Sequence, residues 1–206
     1  EWRIDCFEGA KDLPAIVHCA AKLRVALKDK LLLFTFRTKA EGGKAALAHE
    51  EYLHFIRTVL ATDCADLIDI EFFTAGAELP ALIEDAHTAG AAVVCSSHDF
   101  HKTPPRAELV SRMVAMQQAG ANLPKLAVMP QSRADVLELL AATAEMADRH
   151  PETPIITMSM GALGAVSRLS GEALGSAMTF ANPGQASAPG QVSLDIVNEV
   201  LDALHL

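Results

Sequence analysis

Runs of apolar residues recur along the whole chain, at 31–37, 67–72, 91–97, 124–129, 154–160 and 176–180, with a shorter one at 1–6. Between them apolar positions return every three to four residues, the period of a helix lying on a core. Successive runs begin about 22 to 36 residues apart, the length of a strand plus a crossover helix. Runs that are apolar throughout fit strands buried on both faces, as in parallel sheets. The pattern predicts an α/β protein of repeated βα units, a (β/α)8 TIM barrel or a doubly wound sheet, in one domain over residues 1–206. Seven strands are expected. The chain opens on Glu1-Trp2-Arg3-Ile4-Asp5, already inside a strand, so the first βα unit of a barrel is expected to be absent and the domain N-terminally incomplete. Two helix starts carry local signals: Ser132 with Asp135 forms a capping-box pattern before Val136, Leu139 and Leu140, and Ser193 precedes Leu194, Val197, Val200, Leu201 and Leu204.

Polar residues inside these runs follow strand parity. Residues two apart share a face, which groups Glu1 with Arg3 and Asp5, Thr35 with Arg37, Asp69 with Glu71, Ser96 with His98, and Lys125 with Ala127 and Met129. The opposite faces carry Phe34, Phe36, Ile68, Ile70, Cys95, Leu126 and Val128, suited to packing under helices. Lys125 lies in the octapeptide Leu123-Pro124-Lys125-Leu126-Ala127-Val128-Met129-Pro130. An ammonium in a low-dielectric interior must be paired or give up its proton, and a neutral lysine is a nucleophile towards carbonyl carbon. Lys125 is therefore the leading catalytic candidate, the alternative being a lysine at a strand mouth with its head in water. The charged set as a whole points to an active site. An ion-pair network, Arg3 with Glu71 or Arg37 with Asp5, is the structural alternative.

Composition narrows the class. With 206 residues, 50% hydrophobic and only 5% aromatic, the chain has enough aliphatic material for a sizeable core. The formal net charge of -9 and the lack of any basic run argue against nucleic-acid binding. No apolar stretch approaches the roughly 18 to 20 residues needed to cross a bilayer. Cys6, Cys19, Cys64 and Cys95 show neither CxxC nor metal spacing, and no secretory signal opens the chain, so reduced thiols in a cytoplasm are expected.

His98-Asp99-Phe100-His101 follows Val93-Val94-Cys95-Ser96-Ser97, at the end of a strand where barrel enzymes place catalytic groups. His98 keeps strand parity and is the better base; His101 suits a structural role. The HxxH spacing could also be that of a metal pair, but the nearby cysteines are wrongly placed and competing cations outnumber the carboxylates, so no metal is expected. The segment Asn182-Pro183-Gly184-Gln185-Ala186-Ser187-Ala188-Pro189-Gly190-Gln191 has the composition of a loop that closes over a ligand, or of an ordinary solvent loop.

Glu1-Trp2-Arg3-Ile4-Asp5, Leu33-Phe34-Thr35-Phe36-Arg37 with Glu41-Gly42-Gly43, Ser97-His98-Asp99-Phe100-His101-Lys102-Thr103-Pro104, Leu123-Pro124-Lys125, Thr157-Met158-Ser159-Met160 and Ser187-Ala188-Pro189-Gly190-Gln191 together resemble type I 3-dehydroquinate dehydratase, in order and across the whole chain. The likeness is greatest to the enterobacterial branch, although Ser97 stands where many of its members carry asparagine. The resemblance implies a (β/α)8 barrel, a homodimer in the cytoplasm, and dehydration of 3-dehydroquinate to 3-dehydroshikimate in the shikimate pathway without metal or organic cofactor. It also implies roles. Lys125 would form an imine with the substrate ketone, His98 would move the proton, and Glu41 would orient His98 or exchange protons with it. Arg168 would pair the substrate carboxylate; Glu1, Arg3, Arg37, Ser187 and Gln191 would hold hydroxyls and carboxylate; Met158, Met160 and Phe180 would form the apolar wall, or simply pack as core. Two rival readings keep the same residues: a class I aldolase-like lyase that uses the imine to cleave a carbon–carbon bond, and a non-catalytic remnant that binds a small carboxylic acid.

Overall fold

A computed structural model describes residues 1–184 and 186–204. Among them are six β-strands and eight α-helices. The strands are β1 (Trp2–Arg3), β2 (Leu33–Thr35), β3 (Leu67–Glu71), β4 (Ala92–Asp99), β5 (Leu123–Val128) and β6 (Ile156–Ser159). The helices are α1 (Leu13–Leu27), α2 (His49–Leu60), α3 (Phe72–Ala75), α4 (Leu79–Thr88), α5 (Arg106–Gln118), α6 (Arg133–Arg149), α7 (Ala165–Leu169) and α8 (Leu194–Leu204). The architecture is parallel α/β, as the apolar runs imply. None of the described helices is long and apolar enough to cross a membrane.

The chain forms two compact units, Glu1–Ser97 with Ala119–Asn122, and His98–Gln118 with Leu123–Leu206. In the first, β1 pairs with β2, β2 with β3 and β3 with β4, all parallel. Every residue of β3 is buried, which explains why its run reads as apolar throughout apart from Asp69 and Glu71. Phe34, Phe36, Ile68, Ile70, Val93 and Cys95 fill the helix-facing side. There Phe36 meets Phe55 of α2 at 5.0 Å between centroids. α1 starts where Asp12 accepts the Ala15 N–H at 3.1 Å and Pro14 occupies the first turn, a position that needs no amide donor.

In the second unit β5 and β6 are parallel neighbours, with Lys125 opposite Ile156 and Ala127 opposite Met158. Leu126 and Val128 face the helical side with buried Leu109, Met113, Leu139, Ala142 and Met146. α6 begins as its sequence predicts. The Asp135 N–H donates to Ser132 Oγ at 3.2 Å, and the Asp135 carboxylate accepts from the Ser132 N–H at 3.2 Å.

Two strand expectations are corrected. Seven strands were expected, and the run at 176–180 contributes only a single rung, Ser176 against Ile155, with the Ala177 N–H donating to the Ile155 carbonyl at 2.8 Å. The ladder stops because the next amide, that of Thr157, donates to the Ser176 hydroxyl at 3.1 Å, so a side chain replaces the backbone acceptor. The run at 1–6 yields only Trp2–Arg3 before Ile4–Cys6 close a 3-10 turn, sealed by the Phe7 N–H on the Ile4 carbonyl.

Replacing Ser132 by Ala removes the hydroxyl that accepts the Asp135 N–H in that cap and is expected to cost about 1 kcal/mol, roughly 2–4 °C in melting temperature for a chain of this size. Ser132→Thr, which keeps the oxygen, should melt close to the parent. Thermal denaturation followed by circular dichroism decides it: an unchanged Ser132→Ala midpoint contradicts a contributing cap.

Candidate active site

In the first unit, register brings the polar face together. Thr35 lies opposite Asp69, and Glu71 lies opposite Ser96, so Arg37, two residues past Thr35, comes level with the Glu71–Ser96 pair. Arg37 is 3% exposed. Its Nη1 donates to Glu71 Oε1 and to Ser96 Oγ, both at 2.9 Å, and its Nη2 to Asp69 Oδ2 at 2.7 Å. Glu41 Oε2 stands 3.6 Å from the same Nη1. The Ser96 hydroxyl donates in turn to Asp69 Oδ1 at 2.6 Å. Burial opposes the guanidinium charge, but Asp69, Glu71 and Glu41 outweigh it and raise the Arg37 pKa above that of an ordinary arginine. Burial and the nearby Asp69 and Glu41 carboxylates push the Cys95 thiol up, so it stays protonated and packs as an apolar group.

The other predicted residues of this unit lie at its first strand. Arg3 grips Asp5 with two parallel bonds of 2.8 Å, and Glu1 accepts from the Thr35 hydroxyl at 2.9 Å. Burial alone would raise the Asp5 pKa, but the Arg3 guanidinium and the N–H groups of Lys44 and Arg37 hold it below the usual carboxylate range. The ion pairs anticipated from sequence are thus re-partnered. Arg3 takes Asp5 rather than Glu71, and Arg37 takes Asp69 and Glu71, meeting Asp5 only through its backbone N–H at 3.3 Å.

In the second unit, Lys125 sits mid-strand in β5 and is 4% exposed. Parallel register puts it on one face with Ala127, Ile156 and Met158. Its Nζ lies 4.5 Å from the centre of the Phe180 ring. Met160 is buried just past β6, its N–H donating to the Val128 carbonyl at 2.8 Å. His98 is the penultimate residue of β4, and its ring lies near-parallel to Phe100. The Asp99 side chain caps the turn that follows, accepting from the N–H groups of His101 and Lys102 at 2.9 and 3.0 Å.

Arg168 belongs to α7 and is 2% exposed. Its Nη1 donates to the Met158 sulfur at 3.4 Å and its Nη2 to the Pro189 carbonyl at 3.3 Å, while its buried Nε has no partner. No carboxylate among the described residues pairs with it, and burial lowers its pKa from the ordinary arginine value. Ser187 and Gln191 engage each other: Gln191 Oε1 accepts from the Ser187 N–H at 2.7 Å, and Gln191 Nε2 donates to Ser187 Oγ at 3.1 Å. The loop closes on the Gly161 N–H, which donates to the Pro189 carbonyl at 3.2 Å. Gly190, at φ +74°, fits there because a Cβ would stand 2.3 Å from the Gly161 carbonyl oxygen. Gln185 of this loop lies outside the described residues.

Among the described residues no group of three or more His, Cys, Asp or Glu is placed to hold a metal ion, and His101 is exposed. Sequence reasoning missed Tyr52, whose fully buried hydroxyl accepts the Glu71 N–H at 2.8 Å. The available signal was a tyrosine on the apolar stripe of α2, where a buried hydroxyl demands a partner. Thr38 and Thr74, which donate to the Glu71 carboxylate, carried no such signal.

The family model described as type I 3-dehydroquinase matches residues 1–206. The 3-dehydroquinate dehydratase of Klebsiella pneumoniae (strain 342) is 49% identical over 204 residues, which are 99% of this chain and 81% of that protein. The enzyme of the same name from Salmonella typhimurium (strain LT2) is 47% identical over 205 residues, 100% of this chain and 81% of the relative. A crystal structure of type I 3-dehydroquinate dehydratase from Clostridium difficile, with covalently modified comenic acid, matches with a TM-score of 0.95 at 44% identity, over 99% of this chain and 80% of that one. The structure of 3-dehydroquinate dehydratase from Enterococcus faecalis matches with a TM-score of 0.92 at 38% identity, over 100% of this chain and 82% of that one. A family match over all of residues 1–206, with relatives 47–49% identical along nearly the whole chain, shows that the chain belongs to the type I 3-dehydroquinase family.

Proposed function

We propose that this chain dehydrates 3-dehydroquinate to 3-dehydroshikimate, a step of the shikimate pathway, through an imine between the substrate ketone and Lys125. The family carries the reaction; the burial of Lys125 on the Met158 face, against Phe180, carries the choice of nucleophile. The relative with covalently modified comenic acid supports covalent chemistry on a small acid in this family.

In this reading Nζ of Lys125 adds to the ketone carbon and water leaves, giving a protonated imine. His98 removes the proton from the adjacent carbon, and the electron pair moves onto the imine nitrogen to give an enamine. The enamine pushes out the β-hydroxyl, with His98 returning the proton as it departs as water. Hydrolysis of the remaining imine releases the enone and restores Lys125. Met158, Met160 and Phe180 provide an apolar wall that keeps the Lys125 head dry. Glu41 takes the acid–base role, and Glu1, Arg3 and Arg37 the polar substrate contacts, that the family resemblance assigns them. Since Arg37 already spends Nη1 and Nη2 on Asp69, Glu71 and Ser96, it acts mainly by holding charge in place.

Arg168 anchors the substrate carboxylate. A buried guanidinium whose partners are a thioether and a carbonyl, with Nε unbonded, lacks the counter-charge that burial demands, and a substrate carboxylate supplies it with bidentate geometry. Its bond to Pro189 ties that anchor to the loop of Ser187 and Gln191, which hold hydroxyl or carboxylate oxygens when they exchange each other for substrate. The same proposal places the chain as a single (β/α)8-barrel domain, a cytoplasmic homodimer, acting without a cofactor.

Lys125→Ala is expected to abolish turnover, followed as the rise of enone absorbance, while leaving the fold intact because it relieves a buried amine. A kcat above about a tenth of the parent, a loss under ~1.4 kcal/mol of barrier, rules out Lys125 as the nucleophile. Arg168→Lys keeps the charge but loses the planar fork, and is expected to raise KM by a factor equivalent to about 1–3 kcal/mol. The control is a substrate analogue without the carboxylate, measured by competition. Equal weakening of analogue and substrate makes Arg168 a strut of the loop and withdraws it as the anchor.

A further inference from the structure

We infer that Glu71 is a positioning residue for the reaction, acting through Thr38 and Arg37 on Glu41. The inference rests on the catalytic role proposed above for Glu41. Glu71 ends β3, is 0% exposed, and its carboxylate accepts four hydrogen bonds, the full capacity of that group. Oε1 accepts from the Thr38 N–H at 2.8 Å and from Arg37 Nη1 at 2.9 Å. Oε2 accepts from the Thr38 hydroxyl at 2.7 Å and the Thr74 hydroxyl at 2.5 Å. Behind it, the Tyr52 hydroxyl fixes the Glu71 N–H, so the carboxylate is held from both ends.

What Glu71 grips is the base of the segment that carries Glu41. Thr38 precedes the one-turn 3-10 helix Lys39–Glu41, and its carbonyl accepts the Glu41 N–H at 3.0 Å and the Gly43 N–H at 2.8 Å. The segment wraps tightly round Arg37: a Cβ on Gly43 would stand 1.8 Å from the Arg37 carbonyl oxygen. Glu71 and Glu41 also share one donor. Arg37 Nη1 is at 2.9 Å from Glu71 and 3.6 Å from Glu41, so the nearer carboxylate holds the guanidinium back from the farther one. Removing the Glu71 charge lets Arg37 close on Glu41 and tie up the carboxylate that the proton-transfer step uses. The two threonine hydroxyls can rotate to accept from an amide, so Glu71→Gln keeps the shape and removes the charge.

The test is a double-mutant cycle on kcat. Glu71→Gln is expected to lower kcat at least about tenfold with KM within about twofold, a part of the 10²–10⁴ that a positioned acid–base group is worth. If Glu71 works through Glu41, the double variant Glu71→Gln/Glu41→Gln is no slower than Glu41→Gln alone. Thr38→Val should lower kcat in the same sense and Thr38→Ser should restore it, which keeps the inference testable should Glu71→Gln not fold. Multiplying effects in the cycle, or variants that lose only melting temperature at unchanged kcat, overturn the role of Glu71 while leaving Glu41 in place. A parent-like kcat in Glu41→Gln itself overturns the reading of Glu41 and this inference with it.

Discussion

A guanidinium shut away from water has to be neutralised where it stands, and the polar face of the first unit is organised around that demand. Arg37 is wedged among Asp69, Glu71 and Ser96 because β2, β3 and β4 share a register that sets them level. Such a cluster is a poor source of net stability, since desolvating the ions costs nearly what their attraction returns, yet removing one partner leaves an uncompensated charge at about 3–5 kcal/mol. The arrangement therefore fixes position more than it adds stability. It holds Thr38, and through it the turn that ends at Glu41.

Arg168 presents the opposite case with the same side chain. It is as deeply buried as Arg37, but a sulfur, a carbonyl and an unbonded Nε stand where Arg37 has carboxylates. Arg37 has carboxylate partners within its own unit, and Arg168 has none among the described residues. Lys125 lies on a different part of the sheet. Its register companions Ala127, Ile156 and Met158 are apolar, and an aromatic ring lies over its nitrogen.

Much of this was legible in the sequence because two-residue parity is a local property. Thr35 with Arg37, Asp69 with Glu71 and Ser96 could be placed on one face without knowing the fold, and the burial of Lys125 followed from its apolar neighbours. The Ser132–Asp135 capping box was equally local. Pairing across strands was not legible, since whether Arg37 meets Asp5 or Asp69 depends on a register that only the assembled sheet fixes. The run at 176–180 has strand composition, but the Ser176 hydroxyl captures the Thr157 amide and stops the ladder after one rung, a tertiary contact no propensity encodes. Asp5, grouped with Arg3 by parity, pairs with Arg3 rather than with the Arg37 side chain, and its backbone turns into a 3-10 helix.

The imine at Lys125 is the claim on which the functional account stands. Borohydride reduction in the presence of 3-dehydroquinate, followed by peptide mass mapping, tests it most directly when run on the parent, His98→Ala and Lys125→Ala. The account predicts a substrate-derived mass increment on the Lys125 peptide in the parent and in His98→Ala, whose loss of proton transfer leaves imine formation intact, and none in Lys125→Ala. A parent enzyme that turns over substrate yet gains no increment at Lys125, or a Lys125→Ala variant trapped at another lysine, would contradict it.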